Sequence, residues 1–153
     1  MLAVLIRSLP ANPNNLVVGA NEAGRQGFYS STNGGRSWRN GQISQPSGFR
    51  FGSDPGIAAD AQGNFYFSFI AFNRASDGTL TDSGVFVAKS INRGQSFRPP
   101  VAIVQHLRES NSDFEDKPFV AVDANPVGPS ANTLYVSWTS FISGVPPNTK
   151  AQW

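Results

Sequence analysis

The sequence predicts an all-β fold built from small antiparallel sheets that repeat, and three observations carry that expectation. The octapeptide Ser31-Thr32-Asn33-Gly34-Gly35-Arg36-Ser37-Trp38 returns 59 residues later as Ser90-Ile91-Asn92-Arg93-Gly94-Gln95-Ser96-Phe97, and self-similarity at a fixed offset is the mark of a repeat architecture. Short apolar runs bounded by Asn, Asp, Gly and Pro recur in three successive segments, as strands and their turns do. Twelve Phe, three Tyr and three Trp stand against a single Met in 153 residues, which suits aromatic packing between sheets better than helix ridges. No helical stripe of useful length competes with these patterns.

The strands follow in order. In the first segment, Ala3 to Ile6 leads through the turn residues Asn12-Pro13-Asn14-Asn15 to Leu16-Val17-Val18-Gly19-Ala20, and then Gly27-Phe28-Tyr29-Ser30 runs into the first octapeptide. The second has Gly56 to Asp60, the turn Ala61-Gln62-Gly63-Asn64, a strand from Phe65 to Phe72, and Gly84 to Lys89 running into the second octapeptide. The third has Phe119 to Asp123, a longer turn through Asn125-Pro126 and Gly128-Pro129, and Leu134 to Thr139.

Asp60 and Asp123 stand 63 residues apart, close to the 59 of the octapeptides. A period near 60 with three or four short antiparallel strands is one propeller blade or an equivalent sheet module. The chain therefore reads as a single repeat domain, 1–153, with units of about 1–50, 51–111 and 112–153. By the spacing of the first two units, a third octapeptide is due between 149 and 159, and none occurs before Trp153. The third unit is thus expected to be incomplete, leaving an open sheet edge for further sequence or another copy to cover.

Composition excludes several classes. The net charge is +2, and the arginines are scattered singly among acids, Asn and Gly, so no basic stripe suited to nucleic acid forms. There is no cysteine, hence no disulfide framework and no thiolate chemistry. The apolar start breaks at Arg7 after six residues, too short for a signal-peptide core or a membrane span; it reads as a strand in a chain that begins inside a larger product. With one histidine, His106, and no cysteine, a zinc site is not expected, and no nucleophile elbow accompanies His106, which is placed in a polar loop from Gln105 to Asn111. No cofactor is expected.

In each octapeptide a hairpin must reverse tightly, and Gly35 and Gly94 supply positive φ at little steric cost. Asn33 and Asn92 can accept from backbone N–H groups inside the loop, with the Ser31 and Ser90 hydroxyls as further local partners. Trp38 and Phe97 then fold back as hydrophobic plugs. These residues resemble the Asp-box, or BNR repeat, of sialidases and related β-propellers, whose usual form is S-x-D-x-G-x-x-W; Asn replaces Asp in both copies and Phe97 replaces Trp in the second. The segments Asp54 to Tyr66 and Asp116 to Asp123 look like the inner strand and turn of such blades. The resemblance implies a partial β-propeller of about two and a half sialidase-like blades, and it favours a secreted or cell-surface setting.

Sialidases hold a carboxylated sugar with three arginines and use a Tyr–Glu pair with an Asp acid/base. Their Arg-Ile-Pro signature has only Arg7-Ser8-Leu9-Pro10 as a counterpart here. The resemblance makes Asp54 the candidate acid/base, against the alternative that Ser53-Asp54-Pro55 is a turn ahead of a strand. Glu22 and Arg25 follow the Leu16 to Ala20 strand and, with Arg50, are the ligand-binding candidates. Asp113, Glu115 and Asp116 form the one local acidic cluster and the only candidate metal ligands; their spacing fits no known calcium loop and Lys117 offers a neutralising partner, so no metal is expected. Tyr66 and Trp138 are the candidate aromatic platforms for a sugar.

Three readings of function follow. The first is a non-catalytic propeller module presenting loops to a glycan or a protein. The second is a fragment of a sialidase-like glycoside hydrolase, the chain alone lacking the blades for turnover. The third is a structural module whose copies close a ring. None involves nucleic acid or a membrane.

Overall fold

The alternation of the strands, and not their propensity alone, decides how they stack. The computed structural model describes residues 4–108 and 113–142. Ten strands follow one another among the described residues: β1 (Val4–Leu9), β2 (Asn12–Glu22), β3 (Arg25–Ser31), β4 (Arg39–Gln42), β5 (Phe51–Ala59), β6 (Phe65–Arg74), β7 (Leu80–Ser90), β8 (Val101–His106), β9 (Phe114–Val122) and β10 (Leu134–Phe141). No helix occurs among the described residues. The protein is all-β, with three antiparallel sheets in which each strand pairs only with its neighbours in sequence: β1-β2-β3-β4, β5-β6-β7-β8 and β9-β10. None of the sheets closes on itself. We call them sheets A, B and C.

Sheet B lies between the other two. Side chains alternate across a strand, and β6 reads Phe65-Tyr66-Phe67-Ser68-Phe69-Ile70-Ala71, buried at every position. Phe65, Phe67, Phe69 and Ala71, with Phe86 and Ala88 of β7 and Ile57 of β5, join Val17 and Phe28 of sheet A in one core. The opposite face, with Ala58, Tyr66 and Val87, packs on Val120, Val122, Leu134 and Val136 of sheet C. Removing a Phe or Val side chain from water contributes roughly 1.5–3 kcal/mol, so a strand covered on both faces carries an apolar residue wherever it can. Strand β10, covered on one face, alternates instead: Tyr135 and Phe141 are 55% and 45% exposed, while Leu134 and Val136 turn inward.

Several strands run further than their turn residues suggest. Asn12 to Asn15, expected as a turn, belong to β2; the reversal is made at Pro10 and Ala11. Asp54 and Pro55, expected as a turn before a strand, lie inside β5. A β-bulge accommodates them: Ser53 faces Ile70 and Gly56 faces Ser68, so that Asp54 and Pro55 together oppose one residue. The same device recurs in β9, where Asp116 faces Thr139 and Phe119 faces Ser137, leaving Lys117 and Pro118 opposite one residue. A proline cannot donate to a ladder and is tolerated at a bulge. Asp54 and Lys117 both take the left-handed backbone, with φ of 57° and 50°.

Asp60 closes the β5–β6 turn from within. Its carboxylate is fully buried and accepts from the backbone N–H groups of Gln62 and Asn64 (2.9 Å each), the Asn64 side-chain amide (2.7 Å) and the Tyr66 hydroxyl (3.0 Å). Burial by itself pushes its pKa up, but the bonds from Asn64, Tyr66 and Gln62 outweigh that and hold it below the ordinary value. His106, expected in a loop, ends β8 opposite Ser83; residues 109–111 of that loop, and residues 143–153 with the expected end of the third unit, lie outside the described residues.

Candidate functional site

The two octapeptides sit at one end of sheets A and B, beside Leu16 and Phe65, which face Ser31 and Ser90. Within each, the hydrogen bonds are the same. Ser31 Oγ donates to Asn33 Oδ1 (2.9 Å) and accepts from the Gly35 N–H (2.9 Å), Asn33 Oδ1 accepts from the Ser37 N–H (3.0 Å), and Asn33 Nδ2 donates to Ser37 Oγ (2.8 Å). Ser90, Asn92, Gly94 and Ser96 repeat all four. The carboxamide gives the loop both an acceptor and a donor, and these groups find their partners locally.

Their aromatic residues differ in surroundings. Phe97 packs edge-on against Phe28 of sheet A at 4.9 Å and Phe67 of sheet B at 5.8 Å between ring centroids, and so joins two sheets. Its box fits closely there: Gly94 has φ of 81°, and a Cβ on it would run into Val17 of sheet A. Trp38 was expected to be an equivalent plug, but it is 42% exposed. Its indole N–H donates to the Gly35 carbonyl at 3.0 Å, and its ring lies near its own Gly35. The reason is positional: Phe97 has a sheet on the side its loop reaches toward, and among the described residues Trp38 has none.

The opposite end collects the charged candidates. Asp54 and Asp116 meet across the gap between β5 and β9, brought together by the paired bulges. Lys117 Nζ lies 3.6 Å from Asp54 Oδ2 and 3.5 Å from Asp116 Oδ2. Burial raises the Asp116 pKa, a hydrogen bond and charge repulsion from Asp54 raise it further, and Lys117 offsets only part. The two carboxylates in turn hold the Lys117 ammonium above its usual pKa, Asp116 contributing most. Behind Asp54 runs a relay of polar groups: Gln26 Nε2 donates to Asn21 Oδ1 (2.9 Å), Asn21 Nδ2 to Ser53 Oγ (3.3 Å), and Ser53 Oγ to Asp54 Oδ1 (2.9 Å). Chemically this is a pair of carboxyl groups, one with its pKa raised, that share a cation at the rim.

Arg25 and Arg50 come together at the same end. Both line a cleft of about 590 Å³ between the β2–β3 turn, at Ala23, and the segment Gln45 to Phe51 that leads into β5. The Gly52 N–H donates to the Gly24 carbonyl at 2.7 Å and ties the two walls together. Glu22 does not join them. Its carboxylate folds over Gly27 and accepts from the Tyr29 hydroxyl, a bond that raises the Tyr29 pKa.

The acidic cluster separates. Asp116 faces Asp54, whereas the neighbouring Glu115, on the other side of β9, is buried and has His106 Nε2 at 3.0 Å and the Ser140 hydroxyl donating at 3.2 Å. Asp113 contributes its carbonyl to the Ser83 hydroxyl. Among the described residues no three His, Cys, Asp or Glu side chains converge as metal ligands do. Tyr66 is in the core, its hydroxyl on Asp60, and Trp138 is half-buried in β10.

Lys117, Ser53, Asn21 and Gln26 were not singled out as site residues in the sequence. For Lys117 a signal existed, because the 63-residue offset that carries Asp60 to Asp123 also carries Asp54-Pro55 to Lys117-Pro118. Comparison with known proteins finds no matching family model and no matching curated protein.

Proposed function

We propose that this chain is part of a β-propeller of the BNR kind, a non-catalytic module that presents the loops opposite its glycine boxes to a carbohydrate or protein ligand. Sheet B stacks on A, with Phe97 as the joint, and sheet C stacks on B, and this supports the partial-propeller reading. The observation that carries the functional reading is that Arg25 at the start of β3, Arg50 ahead of β5, and Asp54, Asp116 and Lys117 in the bulges of β5 and β9 all lie away from the boxes. The remaining blades come from further sequence or from other copies.

A glycan array probed with the purified chain tests this directly. Retention of a defined set of glycans, or pull-down of a protein ligand, lost on Asp54→Asn or Arg50→Ala but kept by Arg36→Ala in the first box, is the expected result. Binding that follows Arg36 and ignores the other end would defeat the reading.

A second reading, a fragment of a sialidase-like glycoside hydrolase, is favoured by one observation: Asp116 keeps its proton to higher pH beside Asp54, as acid catalysis at a glycosidic bond requires. Release of a fluorogenic group from a sialoside, abolished by both Asp54→Asn and Asp116→Asn, would favour it over the binding module.

A further inference from the structure

We propose that the chain associates head to tail with a second copy of itself, the open face of sheet C in one copy covered by the open face of sheet A in the other. The inference rests on the partial-propeller reading above and names the partner that extends the stack. It follows from the joint between sheets B and C, whose two halves recur separately, one on sheet C and one on sheet A.

The ladders align the three sheets residue for residue. Leu16 faces Ser31 and Phe65 faces Ser90, the first serines of the two boxes, so Leu16 corresponds to Phe65, Val17 to Tyr66 and Val18 to Phe67. Ala58 opposite Tyr66 in sheet B has Ala121 opposite Tyr135 as its counterpart in sheet C. The backbone bonds from Asp60 to Asn64 and from Asp123 to Thr133, in the turns just ahead, set the same register. In the joint between B and C, Ala58 and Tyr66 are buried under Leu134 and Val136. Sheet C repeats the covered half on its far face, where Ala121 and Tyr135 stand open with Phe119 beside them: Tyr66 is 7% exposed and Tyr135 55%. Sheet A repeats the covering half, because Leu16-Val17-Val18 occupies the place of Leu134-Tyr135-Val136. Side chains alternate along a strand, and Val17 belongs to the core shared with sheet B, so Leu16 and Val18 lie on the face that no other sheet covers among the described residues.

The boxes point the same way. Phe97 reaches back from the second box to Phe28 of the preceding sheet, and Trp38 holds the equivalent place in the first. A Cβ on Gly35 would lie 3.4 Å from Trp38 and 3.6 Å from Leu16, so Trp38 extends the patch of Leu16 and Val18. Sheet C of a second copy, seated there, gives Trp38 the neighbour that Phe97 already has. Contiguous exposed apolar faces mark protein contacts, and these two complement each other as the buried halves of the joint between B and C do, Ala and Tyr against Leu and Val. The contact continues the stack of A, B and C and joins unlike faces, so it is heterologous and closes into a ring when its rotation allows. Two copies bring six sheets, inside the range of about four to eight found in closed rings of small sheets, and make the joint twice.

Sedimentation equilibrium of the full chain over a series of concentrations tests this, with a mass of about twice 16.4 kDa expected. Tyr135→Lys on sheet C and Val18→Lys on sheet A are each expected to weaken association at least about thirtyfold, as the loss of a central apolar contact does. Trp38→Lys, at an exposed position of the same face as Val18, is a second variant of that face. Val101→Lys, at an exposed apolar position of β8 outside both faces, should associate as the unaltered chain does. An equimolar mixture of the Tyr135→Lys and Val18→Lys chains, or of the Tyr135→Lys and Trp38→Lys chains, should recover association through the one joint left intact, which also shows that the variants fold.

A monomer at every concentration overturns the inference. So does an assembly that the variants leave intact, or one that Tyr135→Lys dissolves while Val18→Lys and Trp38→Lys spare it, which would mean that two C faces meet. A larger assembly dissolved by variants of either face and restored by mixing supports the joint and changes only the number of copies. A monomer that still retains glycans on the array overturns the joint and spares the ligand-presenting reading, whereas a dimer that behaves as expected and retains no ligand keeps the joint and removes that reading.

Discussion

Truncating Phe97 and Trp38 to alanine should give unequal losses although the two residues occupy the same position in the same motif. Phe97 is half-buried between sheets, with two edge-to-face partners at 4.9 and 5.8 Å, each such pair adding about 0.5–1.5 kcal/mol to its area term. A buried Phe→Ala change costs about 3–5 kcal/mol, and partial exposure places Phe97→Ala at the lower end, about 3 kcal/mol. Trp38 touches its own loop, is 42% exposed, and spends one indole hydrogen bond on Gly35; its loss should cost about 1 kcal/mol. Urea unfolding followed by tryptophan fluorescence and circular dichroism measures both. At a slope of about 1.5 kcal/mol per molar, the midpoint falls by about 2 M for Phe97→Ala and by under about 1 M for Trp38→Ala. Equal shifts at every protein concentration would refute the argument that the neighbouring sheet, not the motif, sets the value of the aromatic residue.

Asp60→Asn places an amide donor where Asn64 and Tyr66 already donate and should cost about 2–4 kcal/mol. Because the folded pKa of Asp60 lies below 3.8, its contribution is present above that value and is lost as pH falls through the folded pKa, so the variant's acid limb in a denaturation series should be flatter. Asp116 has the opposite sign: its folded pKa lies above 3.8, so the folded protein loses stability as pH rises from about 4 through that pKa, and the difference between Asp116→Asn and the unaltered chain should grow in the variant's favour across that window. Gly94→Ala must place a methyl group against Val17 at φ of 81° and should destabilise by about 2–3 kcal/mol; a change under about 0.5 kcal/mol would show that the box does not rest on sheet A.

The period, the strand class and the local chemistry of both boxes were legible because each is written in adjacent residues: Ser31, Asn33 and Gly35 satisfy one another within five positions. Strand limits were less so, since a Pro flanked by polar residues reads as a turn whether it ends a strand or sits in a bulge, and only the partner strand distinguishes Asp54-Pro55 inside β5. Burial of Phe97 and exposure of Trp38 depend on which sheet lies alongside, which no octapeptide contains. The acidic residues 113, 115 and 116 look like one cluster in the sequence, yet β-alternation sends Glu115 to His106 and Asp116 to Asp54. Arg25 and Arg50 were visible as candidates, while their meeting in one cleft follows from the Gly24–Gly52 hydrogen bond.

Pairing every strand only with its sequence neighbours has a kinetic consequence. Each hairpin can zip before the sheets dock, so the entropy of closing long loops is met late and in few steps. Sheet B, shielded on both faces, then becomes the last part to open. Amide protons of β6 and β7 should exchange with solvent deuterium only through global unfolding, while those of β4 and β10 exchange through local fraying.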